Sequence, residues 1–393
     1  MLLSLALMFL CALILSGIMQ RLRLPGLLGM LITGIILSPY ALNLIAPEIL
    51  NISADLRQVA LIIILIRAGL ALDLNDLRKV SRPAILMCFI PATFEITATI
   101  VLAPLFFHIT YLEAALMGVV LATASPAIIV PKMIKLIEGE YGKDKRIPQL
   151  IMVGTSVNGI YVMVLFASFM GMVAGGDFSF INLAKLPVAI VVGLLIGVLC
   201  GVAFTWLFQK ISMGDPVKIL AILSVSFLLV AFEAALTNYV PMSSLLAVIA
   251  LGGTIIKKQA LLGKIMAGKF SKIWMPAEIM LFVLIGATVN MEYVIREGFT
   301  AALLIFMLLA IRFLGVLICL LKTTLNRKER FFCCIAYMPK ATVQAAIGAL
   351  PLAAGVAAGN TILTVAVLAI LITAPLGALG IDLLSKKCLS TSV

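Results

Sequence analysis

The 393 residues are 63% hydrophobic and only 12% charged, with a mean hydropathy of +1.23. Soluble globular chains carry about 45–50% apolar and about 25% charged residues, so a soluble enzyme, a disulfide-rich secreted scaffold and a disordered chain are all excluded. The net charge of +12 would suggest nucleic acid in a soluble protein. In a chain this apolar it reads instead as the basic residues that collect in cytoplasmic loops, with the lipid bilayer as partner and no nucleic acid.

An all-α polytopic membrane protein remains, because a span needs about 20 apolar residues and no strand alternation suggests a β-barrel. The apolar runs predict thirteen spans, at 2–19, 26–45, 58–74, 83–107, 112–136, 148–174, 184–209, 217–238, 241–256, 273–290, 299–321, 329–354 and 359–385. Span 1 has no charged leader region and no small-residue cleavage site, so it reads as a retained span. Of the 29 Lys and Arg, 23 fall after odd-numbered spans or in the tail, and three (Arg57, Lys185, Arg296) fall after even-numbered ones. That asymmetry places the N-terminus outside and the C-terminus in the cytoplasm; the plasma (inner) membrane is the expected location.

The three remaining basic residues lie inside apolar runs: Arg67 in span 3, Arg312 in span 11 and Lys340 in span 12. Glu95 in span 4 and Glu233 in span 8 are the most deeply placed acids. Intramembrane charges cost several kcal/mol and face partners or a polar pathway. Glu95 with Arg312 reads as a buried structural pair; Arg67 and Glu233 receive no partner. Lys340 is about 11 residues into span 12, roughly 16 Å at 1.5 Å per residue, near the bilayer midplane. It follows Pro339, where a helix loses a backbone hydrogen bond.

Span 5 carries a second break, Ser125-Pro126-Ala127-Ile128-Ile129-Val130-Pro131. Backbone groups freed there must face protein or water. Spans 5 and 12 are an odd number apart and run in opposite directions. Interrupted helices at matching places in two opposed halves predict an inverted-repeat secondary transporter. No GxxxxGK[ST], HExxH or GxSxG motif is present, and His108 stands alone. Neither an enzyme nor a cofactor is therefore expected. The seven cysteines lie mostly in apolar runs without a CxxC pair, and read as small apolar residues with no metal role.

These residues also carry a resemblance. Ala124-Ser125-Pro126-Ala127 with Pro131, and Met338-Pro339-Lys340-Ala341-Thr342-Val343-Gln344-Ala345-Ala346-Ile347-Gly348, resemble the cation/proton antiporter superfamily, closest to the NHA-type sodium/proton antiporters. Arg21-Leu22-Arg23-Leu24-Pro25, Arg67 through Asp73, Pro91 through Glu95, Glu278 with Leu281 through Ala287, and Ile311-Arg312 are similar as well. The likeness covers nearly the whole chain. It implies a sodium/proton antiporter fold with crossing broken helices in spans 5 and 12. It implies a single transmembrane domain over 1–393, with a core bundle including about 83–174 and 299–385 and a dimerisation bundle from the other helices. It further implies homodimers, alternating access, and exchange of a monovalent cation, sodium foremost, for H⁺. Glu95 and Arg312 match the pair that joins two helices in NHA-type members. Lys340 matches the lysine of electrogenic members.

Span 6 departs from the pattern. The family carries Asp-Asp or Asn-Asp there; this chain reads Gly154-Thr155-Ser156-Val157-Asn158-Gly159, with no acidic residue anywhere in 148–174. Asn158 is about 10 residues into the span, roughly 15 Å deep, so the register matches and the chemistry does not. The ion-site candidates are therefore Asn158, Gly159, Thr155, Ser156, Ser125 and Lys340; Asn158, Thr155, Ser156 and backbone carbonyls of the breaks offer neutral oxygens that do not titrate near neutral pH. The substitution is also expected to leave Lys340 without its carboxylate partner, and a buried unpaired lysine is costly to keep charged. Three outcomes stay open: exchange with Lys340 carrying the proton alone; uncoupled or anion transport; and a transport-dead protein with a structural or sensory role.

Overall fold

The computed structural model describes residues 1–70, 82–142, 144–174, 180–211, 213–236 and 242–390. Its helices are α1 (Leu2–Arg21), α2 (Gly26–Leu37), α3 (Pro47–Asn51), α4 (Ser53–Leu70), α5 (Arg82–Phe107), α6 (Tyr111–Leu121), α7 (Pro126–Glu138), α8 (Ile147–Ala174) and α9 (Phe180–Lys210). They continue with α10 (Asp215–Leu236), α11 (Ser244–Lys258), α12 (Ala260–Thr288), α13 (Met291–Cys319), α14 (Arg327–Ala336), α15 (Thr342–Ile347), α16 (Leu350–Ala353) and α17 (Gly359–Cys388). Among the described residues, nine helical stretches are long and apolar enough to cross a membrane, and Gly26–Leu37 and Thr342–Ala353 are shorter apolar helices. The protein is an integral membrane protein.

Each of the thirteen predicted spans falls on helix, with informative differences at the ends. Span 2 stops at Leu37, because Pro39 follows and the chain turns through Asn43 in the left-handed region. The last part of span 3, from 71, lies outside the described residues. Span 10 begins at Ala260 rather than 273, since the basic stretch with Lys264, Lys269 and Lys272 is helical although not apolar. The span 5 break sits at 122–125, ahead of the predicted position. Pro126 opens α7 in the first turn, where its missing N–H leaves no bond unmade, and Pro131 lies within α7 without ending it.

The chain divides into two compact units. The first comprises Met1–Ala54, Lys79–Val162 and Leu281–Val393. Within it α5 packs on α6 and α13, and α17 packs on α13, α14 and α7. The contact of α13 with α5 is close: a Cβ on Gly315 would come within 2.9 Å of the Pro91 Cα. Two ion pairs tie the ends of this unit, Lys132 to Asp382 at 2.5 Å and Lys145 to Glu329 at 2.8 Å. Phe299, Leu303 and Phe306 on α13 stay exposed, as a lipid-facing stripe requires.

The second unit comprises Asp55–Arg78 and Met163–Met280. Its tightest pairing is α9 on α11, where Gly193, Gly197 and Gly201 recur every fourth residue against Ser243, Ala247 and Thr254. Small residues at this spacing let membrane helices approach closely. Ser244 on α11 donates a hydrogen bond to Glu233 on α10. Arg67 on α4 lies within electrostatic reach of Glu278 on α12, which also interacts with Trp274. Ser244 is thus a partner of Glu233, which the sequence left unassigned.

Candidate functional site

The two interrupted helices meet in the first unit. The segment 122–125 separates α6 from α7, and 337–341 separates α14 from α15. The breaks touch directly: the Ser125 N–H donates to the Pro339 carbonyl at 2.8 Å. In a membrane every backbone group freed by such a break needs a partner, and side chains supply them. The Lys340 N–H donates to Thr373 Oγ1 on α17 at 2.9 Å, and the Ala341 N–H to Gln344 Oε1 at 2.9 Å. Gln344 Nε2 in turn donates to the Thr123 carbonyl at 2.9 Å and to Thr123 Oγ1 at 2.8 Å.

The carbonyls at the end of α6 carry the partial negative charge of a helix C-terminus, and two cations face them. Arg312 Nη1 donates to the Ala122 carbonyl at 2.7 Å, and Lys340 Nζ donates to that of Leu121. Arg312 Nε holds the Tyr337 carbonyl at the end of α14 at 3.0 Å, with the guanidinium over the Tyr337 ring. The Tyr337 hydroxyl donates to the Met87 carbonyl of α5 at 2.7 Å.

Between the cations stands one carboxylate. Glu95 Oε2 is 2.6 Å from Arg312 Nη1, and Glu95 Oε1 is 2.6 Å from Lys340 Nζ. Glu95 and Arg312 are fully buried and Lys340 is 1% exposed. The expectation that Lys340 lacks a carboxylate is therefore corrected. Its partner comes from α5 rather than α8, because Glu95 has two oxygens and uses only one on Arg312. Two cations against one carboxylate leave the cluster with a surplus of one positive charge.

The α8 candidates have other work. Asn158 is fully buried; its Oδ1 accepts from the Ala124 N–H at 3.3 Å and its Nδ2 donates to the Cys88 carbonyl at 3.1 Å. It fastens α8 to α5 and to the span 5 break. Thr155 Oγ1 donates to the Ile151 carbonyl at 2.9 Å, one turn back in its own helix. Ser125 Oγ pairs with Thr342 Oγ1 at 3.4 Å across the crossing. Around Gly159 there is open space, for a Cβ there would meet nothing within 4 Å. The side chain of Ser156 lies outside what the structure describes. No cluster of His, Cys, Asp and Glu suited to a metal is present among the described residues.

Sequence reasoning missed Gln344, Thr373 and Tyr337. Gln344 stood inside the Pro-Lys-Ala-Thr-Val-Gln string, four residues after Lys340, which was its one visible signal.

Comparison with known proteins places this crossing. The family pattern described as "Sodium/hydrogen exchanger, transmembrane" matches residues 5–387. The chain belongs to the sodium/hydrogen exchanger family. It is 32% identical to Sodium/hydrogen exchanger 9B2 of Mus musculus over 384 residues, 94% of this chain and 69% of that protein. It is 30% identical to Sodium/hydrogen exchanger 9B1 of Homo sapiens over 410 residues, 98% of this chain and 78% of that one. Among solved structures, the sodium proton antiporter MjNhaP1 from Methanocaldococcus jannaschii at pH 8 superposes with a TM-score of 0.82. The match covers 98% of this chain and 97% of that one at 17% identity, so it shows a shared fold. The sodium/proton antiporter fold that the resemblance implied is thus the fold of this chain, with the two breaks in contact at Ser125 and Pro339.

Proposed function

We propose that this exchanger moves a monovalent cation, sodium foremost, against protons by alternating access, with Lys340 as the proton carrier. The observation that carries the reading is the seat of the Lys340 ammonium, buried at the crossing between Glu95 Oε1 and the end of α6. The Glu95 carboxylate and the Lys340 ammonium are in contact there, and α8 contains no Asp, Glu, Lys, Arg or His. The names of the relatives support sodium and proton as the exchanged pair. The basic residues after odd-numbered spans support a cytoplasmic C-terminus and an external N-terminus, and the plasma membrane is the proposed location. Homodimers are proposed by likeness to the family.

The test is transport in proteoliposomes. A proton gradient is imposed, and its dissipation is followed on adding Na⁺, Li⁺ or K⁺. Wild type is expected to respond and Lys340→Gln to fall to the liposome background. Full coupling in Lys340→Gln would overturn Lys340 as carrier. The positive surplus of the cluster favours a second reading, an anion pathway. Chloride-dependent flux without a pH change distinguishes it.

A further inference from the structure

We infer that a groove between α9 and α11 in the second unit binds one anionic phospholipid, with the headgroup phosphate on Lys257 and Lys258 and an acyl chain along the groove. The site is built from one chain and uses no residue of the helix crossing.

The groove has a volume of about 270 Å³. Val198 and Val202 of α9 line one wall, Ala250 and Gly253 of α11 the other, and Lys257 and Lys258 stand where α11 finishes. The two helices run in the same direction, since Gly193, Gly197 and Gly201 meet Ser243, Ala247 and Thr254 in rising order. Their basic ends, Lys210 on α9 and Lys257 with Lys258 on α11, therefore lie on the same side.

The order of side chains along the groove is that of a phospholipid. On α9, Val198, Val202, Trp206 and Lys210 recur every fourth residue and share one face. Val198 is 42% exposed, Val202 38% and Trp206 56%. The Lys210 ammonium lies 4.5 Å over the Trp206 ring. From Val198 to Lys210 the rise over 12 residues is roughly 18 Å. The hydrocarbon of one leaflet is about 15 Å deep, half of a ~30 Å core, and tryptophan gathers at headgroup level. The face thus passes from aliphatic to aromatic to cationic over the depth of one leaflet. On α11, Ala250 and Gly253 give way to Thr254 and then to the two lysines in the same order.

Charge selects the headgroup. Residues 205–272 hold seven lysines and two acids, Asp215 and Glu233. Asp215 pairs with Lys269 at 3.4 Å, and Glu233 accepts from Ser244 at the opposite end of α11 from the lysines. Lys257 and Lys258 are exposed and make no ion pair among the described residues. Lysines at a helix C-terminus also suit its dipole, but that role needs no apolar groove beside them. Basic pockets between membrane helices hold anionic headgroups. A zwitterionic lipid would bring a positive charge to the same lysines, and a free phosphate would leave the apolar walls uncovered.

The experiment is native mass spectrometry of the purified protein in non-ionic detergent, titrated with phosphatidylglycerol or phosphatidylcholine. One phosphatidylglycerol per chain is expected to be retained at the lowest concentrations, ahead of phosphatidylcholine. Lys257→Ala/Lys258→Ala is expected to weaken that binding about thirtyfold, the effect of two lysines near a headgroup. Lys264→Ala/Lys272→Ala, which removes two exposed lysines outside the groove, is expected to leave it unchanged. Val202→Trp, which fills the groove without changing charge, is expected to weaken it as well. Equal affinity for the two lipids, wild-type affinity in Lys257→Ala/Lys258→Ala, or an equal loss in both lysine pairs would overturn the site. Displacement of the lipid by glycerol 3-phosphate at equal concentration would overturn the acyl-chain groove. Should Val202→Trp fail to fold, the two pairs of exposed lysines decide.

Discussion

Lys340 and Glu95 lie 245 positions apart in the chain and meet at 2.6 Å in the interior of the first unit. The same carboxylate holds Arg312 at the same distance. One buried acid thus bridges two buried bases that also face the end of α6.

Replacing Glu95 by alanine leaves two buried cations without a counter-ion. Breaking a buried pair by removing one partner costs about 3–5 kcal/mol. Glu95→Ala is expected to lower the melting temperature of the purified protein markedly. An unchanged melting profile would contradict the ion-pair account.

Asn158 and Gly159 are expected to respond in opposite ways. Asn158→Asp keeps an acceptor for the Ala124 N–H but loses the donor to the Cys88 carbonyl. Leaving a buried acceptor unsatisfied costs about 1–3 kcal/mol. Gly159 sits in a helix with open space beside it, so Gly159→Ala is expected to stabilise by about 0.5–1 kcal/mol. Thermal melts of the two variants check both signs.

Gly377 on α17 faces the proline of the span 12 break. A Cβ there would stand 2.4 Å from Pro339 Cγ and 2.7 Å from Cδ, atoms of a ring with little freedom to move. Overpacking of this kind costs about 1–3 kcal/mol. Gly377→Ala is expected to shift Pro339, and with it the adjoining Lys340, reducing exchange. Wild-type flux in this variant would show that the crossing tolerates such a shift.

Gln344 serves both breaks, accepting from the Ala341 N–H and donating to Thr123. In Gln344→Ala these groups lose their partners. Faster amide hydrogen exchange is expected over 337–345, measured by mass spectrometry, with a loss of about 1–3 kcal/mol in stability. Protection equal to wild type would refute the role.

Much of the fold was legible because membrane helices announce themselves by apolar length and by the basic residues between them. The failures have physical causes. The start of α12 escaped notice because Lys264, Lys269 and Lys272 read as a loop, although lysine is a good helix former and Lys269 pairs with Asp215 at 3.4 Å. The span 5 break was set across two prolines, but only Pro126 stands at a helix start, and Pro131 is carried inside α7. At the site, residue types pointed to Lys340 and to the Glu95–Arg312 pair, while the second contact of Glu95, with Lys340, depended on how distant helices meet. Asn158 illustrates the limit of register: its depth suits an ion site, yet its amide has both a donor and an acceptor, and the structure uses each to join helices.

The most direct test of the Lys340–Glu95 centre is proton release on cation binding. Purified protein in detergent and weak buffer is titrated with Na⁺ while the pH is recorded, beside Lys340→Gln. Wild type is predicted to release one proton for each cation bound, and Lys340→Gln to release none. Sodium binding to wild type without proton release would contradict the account.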